Sequence, residues 1–144
     1  MSPVDAAVVR RKLAAMIEAL EGLRPLVDLS LDEYRARYYE RKASERLLQE
    51  AIEVTLDINA HLIAELGRAV PDDYYGGFLQ VAELGILPPA LARDLAPAAG
   101  LRNRLVHEYD AIDDTKVLAA IRRALDLLPR YVHAIEAYLT KAGL

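Results

Sequence analysis

The sequence predicts an all-α protein, a bundle of four to six helices with one long, bent member. Three observations carry this. Apolar residues recur at intervals of three and four along most of the chain, Ser, Asp and Pro stand where helices begin with Gly or Pro where they end, and no segment alternates with period two in β-branched residues. At 144 residues and 53% hydrophobic, the chain has the size of one domain, and no repeat, low-complexity tract or linker divides residues 1–144.

The first helix is striped by Val9, Leu13, Met16, Ile17, Leu20 and Leu23. Ser2 with Asp5 three residues on has capping-box spacing, Pro3 sits in the first turn where a missing N–H costs nothing, and Gly22 with Pro25 marks the end. Ser30-Leu31-Asp32-Glu33 repeats the capping pattern, and no Gly or Pro follows until Gly67. One long helix or two nearly collinear ones should fill that stretch, with Tyr34, Tyr38, Leu48, Ile52, Thr55, Ile58 or Asn59, Leu62 and Leu66 on the apolar face. Such a helix would be on the order of 54 Å long, wider than a small domain, so a bend or a projection into a partner is expected. Pro71-Asp72-Asp73 breaks the chain, and Phe78, Val81, Ala82 and Leu84 follow on a short helix closed by Gly85. Pro88-Pro89 opens a helix carrying Leu91, Leu95, Ala98, Leu101, Leu105 and Val106 as far as Tyr109, kinked at Pro97 and soft at Gly100. Asp113-Asp114 caps the last helix, striped by Val117, Leu118, Ile121, Leu125, Leu128, Val132, Ile135 and Leu139 and bent at Pro129.

Composition narrows the chemistry. The absence of cysteine excludes a disulfide scaffold, a thiolate nucleophile, a zinc finger and an iron–sulfur centre. No apolar run approaches a membrane span, and Met1-Ser2-Pro3-Val4-Asp5 lacks the basic-then-apolar order of a signal peptide, so a cytoplasmic protein is expected. With 18 Lys+Arg against 22 Asp+Glu the net charge is −4, which disfavours wholesale adhesion to nucleic acid and requires any such binding to use a local basic patch.

The histidines are His61, His107 and His133. Glu45, Gln49, Glu53, Asp57 and His61 follow one another at i,i+4 steps and form a polar row on the long helix. Two carboxylates and an imidazole suit a metal, but the Glu-x-x-His pair that a di-iron bundle needs twice is not repeated, so pairing with arginines of a neighbouring helix or subunit is favoured and no metal is expected. The most informative stretch is Arg102-Asn103-Arg104-Leu105-Val106-His107-Glu108-Tyr109, which gathers two guanidiniums, an amide, an imidazole and a phenol near the end of an apolar helix. On an ideal helix Arg102 and His107 stand about 140° apart, so their convergence needs a long reach or a distorted turn. Histidine titrates near neutrality and can take a proton from a ribose 2′-OH or give one to a leaving 5′-oxygen. Arginine offers a cationic fork to phosphate oxygens, so the set suits RNA cleavage without a metal. Arg104 and Glu108 have the spacing of an ordinary exposed ion pair.

These residues resemble the signature of the HEPN superfamily, all-helical ribonucleases with an Arg-x(4–6)-His motif, and more narrowly of the HepT toxins with Arg-x(4)-His-x-Tyr. Arg102, His107 and Tyr109 match the motif positions and Asn103 the polar residue after the Arg, while Glu45 to Glu53 with Asp57, Ile58 and His61 resembles the family's long helix and Tyr74 to Leu87 its connecting segment. The resemblance implies a HEPN-type up-and-down bundle over residues 1–144. It also implies a homodimer with a shared cleft, and metal-independent RNA cleavage by Arg102 and His107 with Asn103 in support. Arg104 inside the motif departs from the family's pattern, and its extra charge could support the site by binding phosphate or could pair with Glu108. No cofactor is implied. The partner would be an MntA-like nucleotidyltransferase antitoxin that transfers AMP to Tyr109. Arg35, Arg37, Arg41, Lys42 and Arg46 could rim such a cleft and track a phosphate backbone, or form a solvated helix face. The competing reading is a non-catalytic HEPN module that binds a nucleotidyltransferase and helps form its substrate site; a third is a structural dimeric bundle without a ligand.

Overall fold

Helix α1 (Ala6–Leu23) begins where a side chain first satisfies its free N–H groups: Asp5 is the N-cap, and its carboxylate accepts the Val8 N–H at 3.2 Å. Val4 before the cap and Val9 in the first turn are both buried, an apolar staple that sets the entry of the chain. The computed structural model describes residues 4–107 and 112–144, so the expected cap at Ser2 and first-turn Pro3 lie outside the described residues. Gly22 does not terminate α1. The helix runs through it because α1 packs so closely there that a Cβ on Gly22 would stand 2.8 Å from Leu47 Cδ1. The chain leaves instead through a 3₁₀ turn, Arg24–Leu26, that contains Pro25. Of the predicted stripe only Ile17 is exposed, being about 100° round the helix from Met16.

Both halves of the second capping box form: Ser30 Oγ accepts the Glu33 N–H at 3.1 Å and the Glu33 carboxylate accepts the Ser30 N–H at 3.0 Å. That backbone N–H holds the Glu33 carboxyl below its usual value. The long helix is broken into α2 (Leu31–Ala36) and α3 (Tyr38–Glu65) at Arg37, whose φ of −99° and ψ of 80° are not helical. Side chains hold this corner. Arg41 donates to the carbonyl of Arg35 at 2.9 Å, Ser44 Oγ donates to the Arg41 carbonyl at 2.7 Å, and the buried Tyr34 hydroxyl meets Ser44 Oγ at 2.8 Å. Since Ser44 spends its one proton on Arg41, Tyr34 is the donor of that pair. The corner resets the helical phase, which is why Tyr38 is exposed rather than part of the apolar face; Leu66, at the C-cap of α3, is exposed as well.

Asp73 caps α4 (Tyr74–Glu83), its carboxylate accepting the Gly76 N–H at 2.6 Å, and Gly85 with φ +80° closes it. Pro97 produces a full break rather than a kink, leaving α5 (Pro89–Leu95) and α6 (Ala98–His107). Asp113 caps α7 (Asp114–Lys141), its carboxylate accepting the Thr115 N–H at 2.9 Å, and Pro129 lies inside this helix. Counting each broken helix as one, the bundle is the all-α architecture the periodicity predicts. Helix α3 is its centre and touches α1, α4, α6 and α7, while α7 closes the far side against α1, α2 and α5. Arg122 of α7 secures the loop before α2 by donating to the carbonyls of Val27 at 2.9 Å and Leu29 at 2.6 Å. No helix among the described residues is long and apolar enough to cross a membrane.

One polar group crosses the core. The Tyr131 hydroxyl of α7 is fully buried and donates to Asn59 Oδ1 at 2.7 Å, with the Thr55 carbonyl at 3.3 Å. Burial pushes this phenol well above its ordinary value. Tyr131→Phe should therefore cost about 1–3 kcal/mol at neutral pH, because it strands a buried acceptor. The sign of the pH dependence follows from the raised folded value. The stabilisation is complete below the unfolded phenol value of about 10 and falls as pH rises above it, so the gap between wild type and Tyr131→Phe should narrow there. Urea titrations of both proteins on either side of that pH check it.

Candidate active site

Helix α6 carries Arg102, Asn103, Arg104 and His107, and Tyr109 lies outside the described residues. Ala99 and Leu105 are buried and set the inward face of α6. Arg102 falls between them on an ideal helix and points toward α3 and α4, so its charge must find partners inside the fold. It finds three. Its Nε is 3.3 Å from Glu53 Oε1 of α3, its guanidinium lies 5.4 Å from the ring centre of Tyr74 of α4, and its Nη1 donates to Asn103 Oδ1 at 3.2 Å. The Arg102 and Glu53 side chains retain 22% and 33% of their exposure, so the pair stands at the edge of the core with one side open. The Nε contact is electrostatic rather than an aligned hydrogen bond, and this buried N–H finds no acceptor among the described residues. Glu53 is itself oriented, accepting from Gln49 Nε2 at 3.0 Å.

The polar row of α3 thus disperses among three neighbours. Glu53 goes to Arg102, Asp57 pairs with Lys12 of α1 at 3.7 Å, and His61 Nε2 accepts the Asp5 N–H at 3.3 Å. Of the pairing with arginines that the spacing favoured, Glu53 with Arg102 forms among the described residues, while Asp57 takes a lysine and His61 a backbone N–H. No group of three or more His, Asp or Glu converges among the described residues. His133 is exposed on α7.

Arg102 and His107 do not converge within one chain. Helix α6 is unbroken between them, so no distorted turn brings them together, and His107 is exposed at the end of the helix while Arg102 is held inward. Arg104 is turned about 160° from Arg102 and sits at the mouth of an apolar cavity of about 310 Å³ beside Leu101 and Lys116. The five cations around the α2–α3 corner are partly committed. Arg35 and Arg41 both reach Asp114 Oδ2, at 3.8 and 3.9 Å, and Arg46 pairs with Glu50 at 3.0 Å. Arg37 and Lys42 have no ion-pair partner among the described residues. Tyr74 is the site residue that sequence reasoning missed. It is an ordinary first residue of a short helix, and nothing in its local pattern says that it covers an arginine on another helix.

The family described as ribonuclease HepT-like matches residues 16–135. The "tRNA nuclease HepT" of Aphanizomenon flos-aquae (strain 2012/KM1/D3) is 36% identical over 139 residues, 96% of this chain and 95% of that protein. In fold the chain resembles the Bacillus subtilis cytosolic protein YutE, with a TM-score of 0.84 at 19% identity over 99% of this chain and 95% of that one. It also resembles a tri-AMPylated Shewanella oneidensis HEPN toxin solved in complex with an MNT antitoxin, with a TM-score of 0.79 at 19% identity over 90% and 97%. With Arg102 and His107 on one helix of an all-α bundle and the family match spanning most of its length, this chain belongs to the HepT-like ribonuclease family.

Proposed function

We propose that this chain is a metal-independent ribonuclease toxin whose active unit is a homodimer. The observation that carries this reading is the pair of opposed placements on α6: a cation held inward by Glu53, Tyr74 and Asn103, and an imidazole left exposed one and a half turns further on. One chain holds the two apart. Two chains facing each other along α6 can offer Arg102 from one side and His107 from the other, and they double the local positive charge that a chain of net charge −4 lacks.

In the reaction His107 removes the proton of a ribose 2′-OH and the freed oxygen attacks the adjacent phosphorus. The bond to the 5′-oxygen breaks, and that oxygen takes the proton from the His107 imidazolium, giving a 2′,3′-cyclic phosphate, a 5′-hydroxyl and a neutral imidazole. Arg102 stabilises the charge that builds on the phosphate oxygens, and Asn103 fixes its fork. Arg104 adds charge on the other flank of α6, and Arg35, Arg37, Arg41, Lys42 and Arg46 attract the RNA backbone. The relative named as a tRNA nuclease supports RNA as the substrate. An MntA-like nucleotidyltransferase antitoxin transfers AMP from ATP to the Tyr109 hydroxyl and releases pyrophosphate. The AMPylated, antitoxin-bound state of a structural neighbour supports this pairing.

The purified protein should cut RNA in EDTA and leave cyclic-phosphate and 5′-hydroxyl ends, and a 2′-deoxy substitution at the cut position should stop it. Cleavage of the deoxy substrate, or loss of activity on chelation, would overturn the mechanism.

A further inference from the structure

The corner between α2 and α3 exposes more than charge. Tyr38 and Tyr39, the first two residues of α3, are 58% and 82% exposed, and their rings meet edge to face at 5.5 Å with planes 88° apart. Arg41 and Lys42 lie over the Tyr38 ring at 5.5 and 5.9 Å from its centre. Residues 35–46 carry Arg35, Arg37, Arg41, Lys42 and Arg46 against Glu40 and Glu45, a local excess of positive charge on an acidic chain. No aliphatic residue larger than alanine occurs in this stretch, so what it exposes is π faces and cations. That is the composition of a platform for unpaired nucleic acid, where bases stack on aromatic rings and cations follow the backbone.

The platform is in line with the candidate active site. On an ideal helix Tyr38, Tyr39, Lys42 and Arg46 fall within about 60° of Glu53, the residue that meets Arg102. Fourteen residues of α3 separate Tyr39 from Glu53, a distance of about 21 Å along the axis or about six stacked nucleotides.

We infer that Tyr38 and Tyr39, with Arg37 and Lys42, form a base-stacking exosite that holds a single-stranded segment of the RNA about six nucleotides from the cut. The exosite rests on the ribonuclease reading for its substrate but makes a separate prediction. An unpaired segment is held by its bases, so the site selects single-stranded RNA over duplex.

The test is binding of an uncleavable 2′-O-methyl oligonucleotide of about twelve nucleotides, free or annealed to its complement, followed by fluorescence anisotropy. The doubly substituted Tyr38→Ala, Tyr39→Ala protein should bind the single strand about tenfold more weakly than wild type. The Tyr38→Phe, Tyr39→Phe protein should bind as wild type does, and duplex binding should be the same in all three. Both side chains are exposed, so neither substitution disturbs the core. The exosite is refuted if wild type does not bind the oligonucleotide, if the alanine protein binds the single strand as well as wild type, or if it loses single strand and duplex equally. It is also refuted if sedimentation finds the alanine protein monomeric where wild type is dimeric, since the face then joins two copies. Because the oligonucleotide cannot be cut, a protein that binds in the expected way yet never cleaves RNA would sink the nuclease reading and leave the exosite standing.

Discussion

His107→Ala should lower RNA cleavage by a factor of about 10²–10⁴, the usual contribution of one positioned acid or base. The same loss should appear with the substrate saturating, because the imidazole acts on a proton that moves only in the transition state. His107 is exposed at the end of α6, so its removal should leave the thermal midpoint of unfolding unchanged, and loss of activity cannot then be assigned to loss of fold. Arg102→Ala should be as damaging for a different reason. The guanidinium is already held by Glu53, Tyr74 and Asn103, so little ordering remains to be done when phosphate arrives. Arg102→Lys should not restore activity, since an ammonium lacks the planar fork that phosphate oxygens match. The double variant should be little worse than either single one, as expected of groups that act as a unit. Initial rates on one RNA for wild type and the four variants decide this; full activity in both single alanine variants removes these residues from the mechanism.

Tyr109→Phe should abolish AMP transfer by the partner nucleotidyltransferase while leaving RNA cleavage near wild type. Phenylalanine keeps the ring and removes the hydroxyl, which is the only atom of the residue able to attack the α-phosphorus of ATP. The expected inhibition is electrostatic and steric. Tyr109 is two residues after His107 in the sequence, so in the proposed dimer an attached AMP would bring a phosphate and a base toward the imidazole, where the phosphate would compete with substrate for Arg102 of the facing chain. Intact-mass measurement after incubation with the nucleotidyltransferase and ATP should find added AMP on wild type and none on Tyr109→Phe. Equal modification of both would move the acceptor to another residue.

The helices and their ends were legible because their causes are local. The Ser30–Glu33 capping box and Asp113 before α7 satisfy backbone groups within three residues, and Pro89 opens α5 where a missing N–H costs nothing, all of which a linear pattern records directly. Two boundaries were not legible. The break at Arg37 has no Gly or Pro to announce it; it is held by Arg41, Ser44 and Tyr34 bonding across the corner, and those contacts exist only once the chain has turned. Gly22 reads as a stop but is a point of close approach between α1 and α3, since the missing side chain makes room for Leu47.

The candidate site divides in the same way. That Arg102, Asn103 and His107 share a helix, and that the Glu53 row pairs with cations, follows from spacing and residue type alone, because helical periodicity converts sequence distance into direction. Which cation meets which carboxylate did not follow: Arg102 takes Glu53, Lys12 takes Asp57, and Arg35 with Arg41 takes Asp114, each across helices brought together by the core. Tyr74 over Arg102, and Tyr38 turned from an expected core position to the surface, depend likewise on how α4 and the α2–α3 corner are set against the rest. By itself the sequence determined the all-α class, the caps at Ser30 and Asp113 and the motif, because these arise from interactions within one or two turns. Only the tertiary structure decided that Arg102 is held inward while His107 faces out, because the direction of a helix face acquires a meaning only from what packs against it.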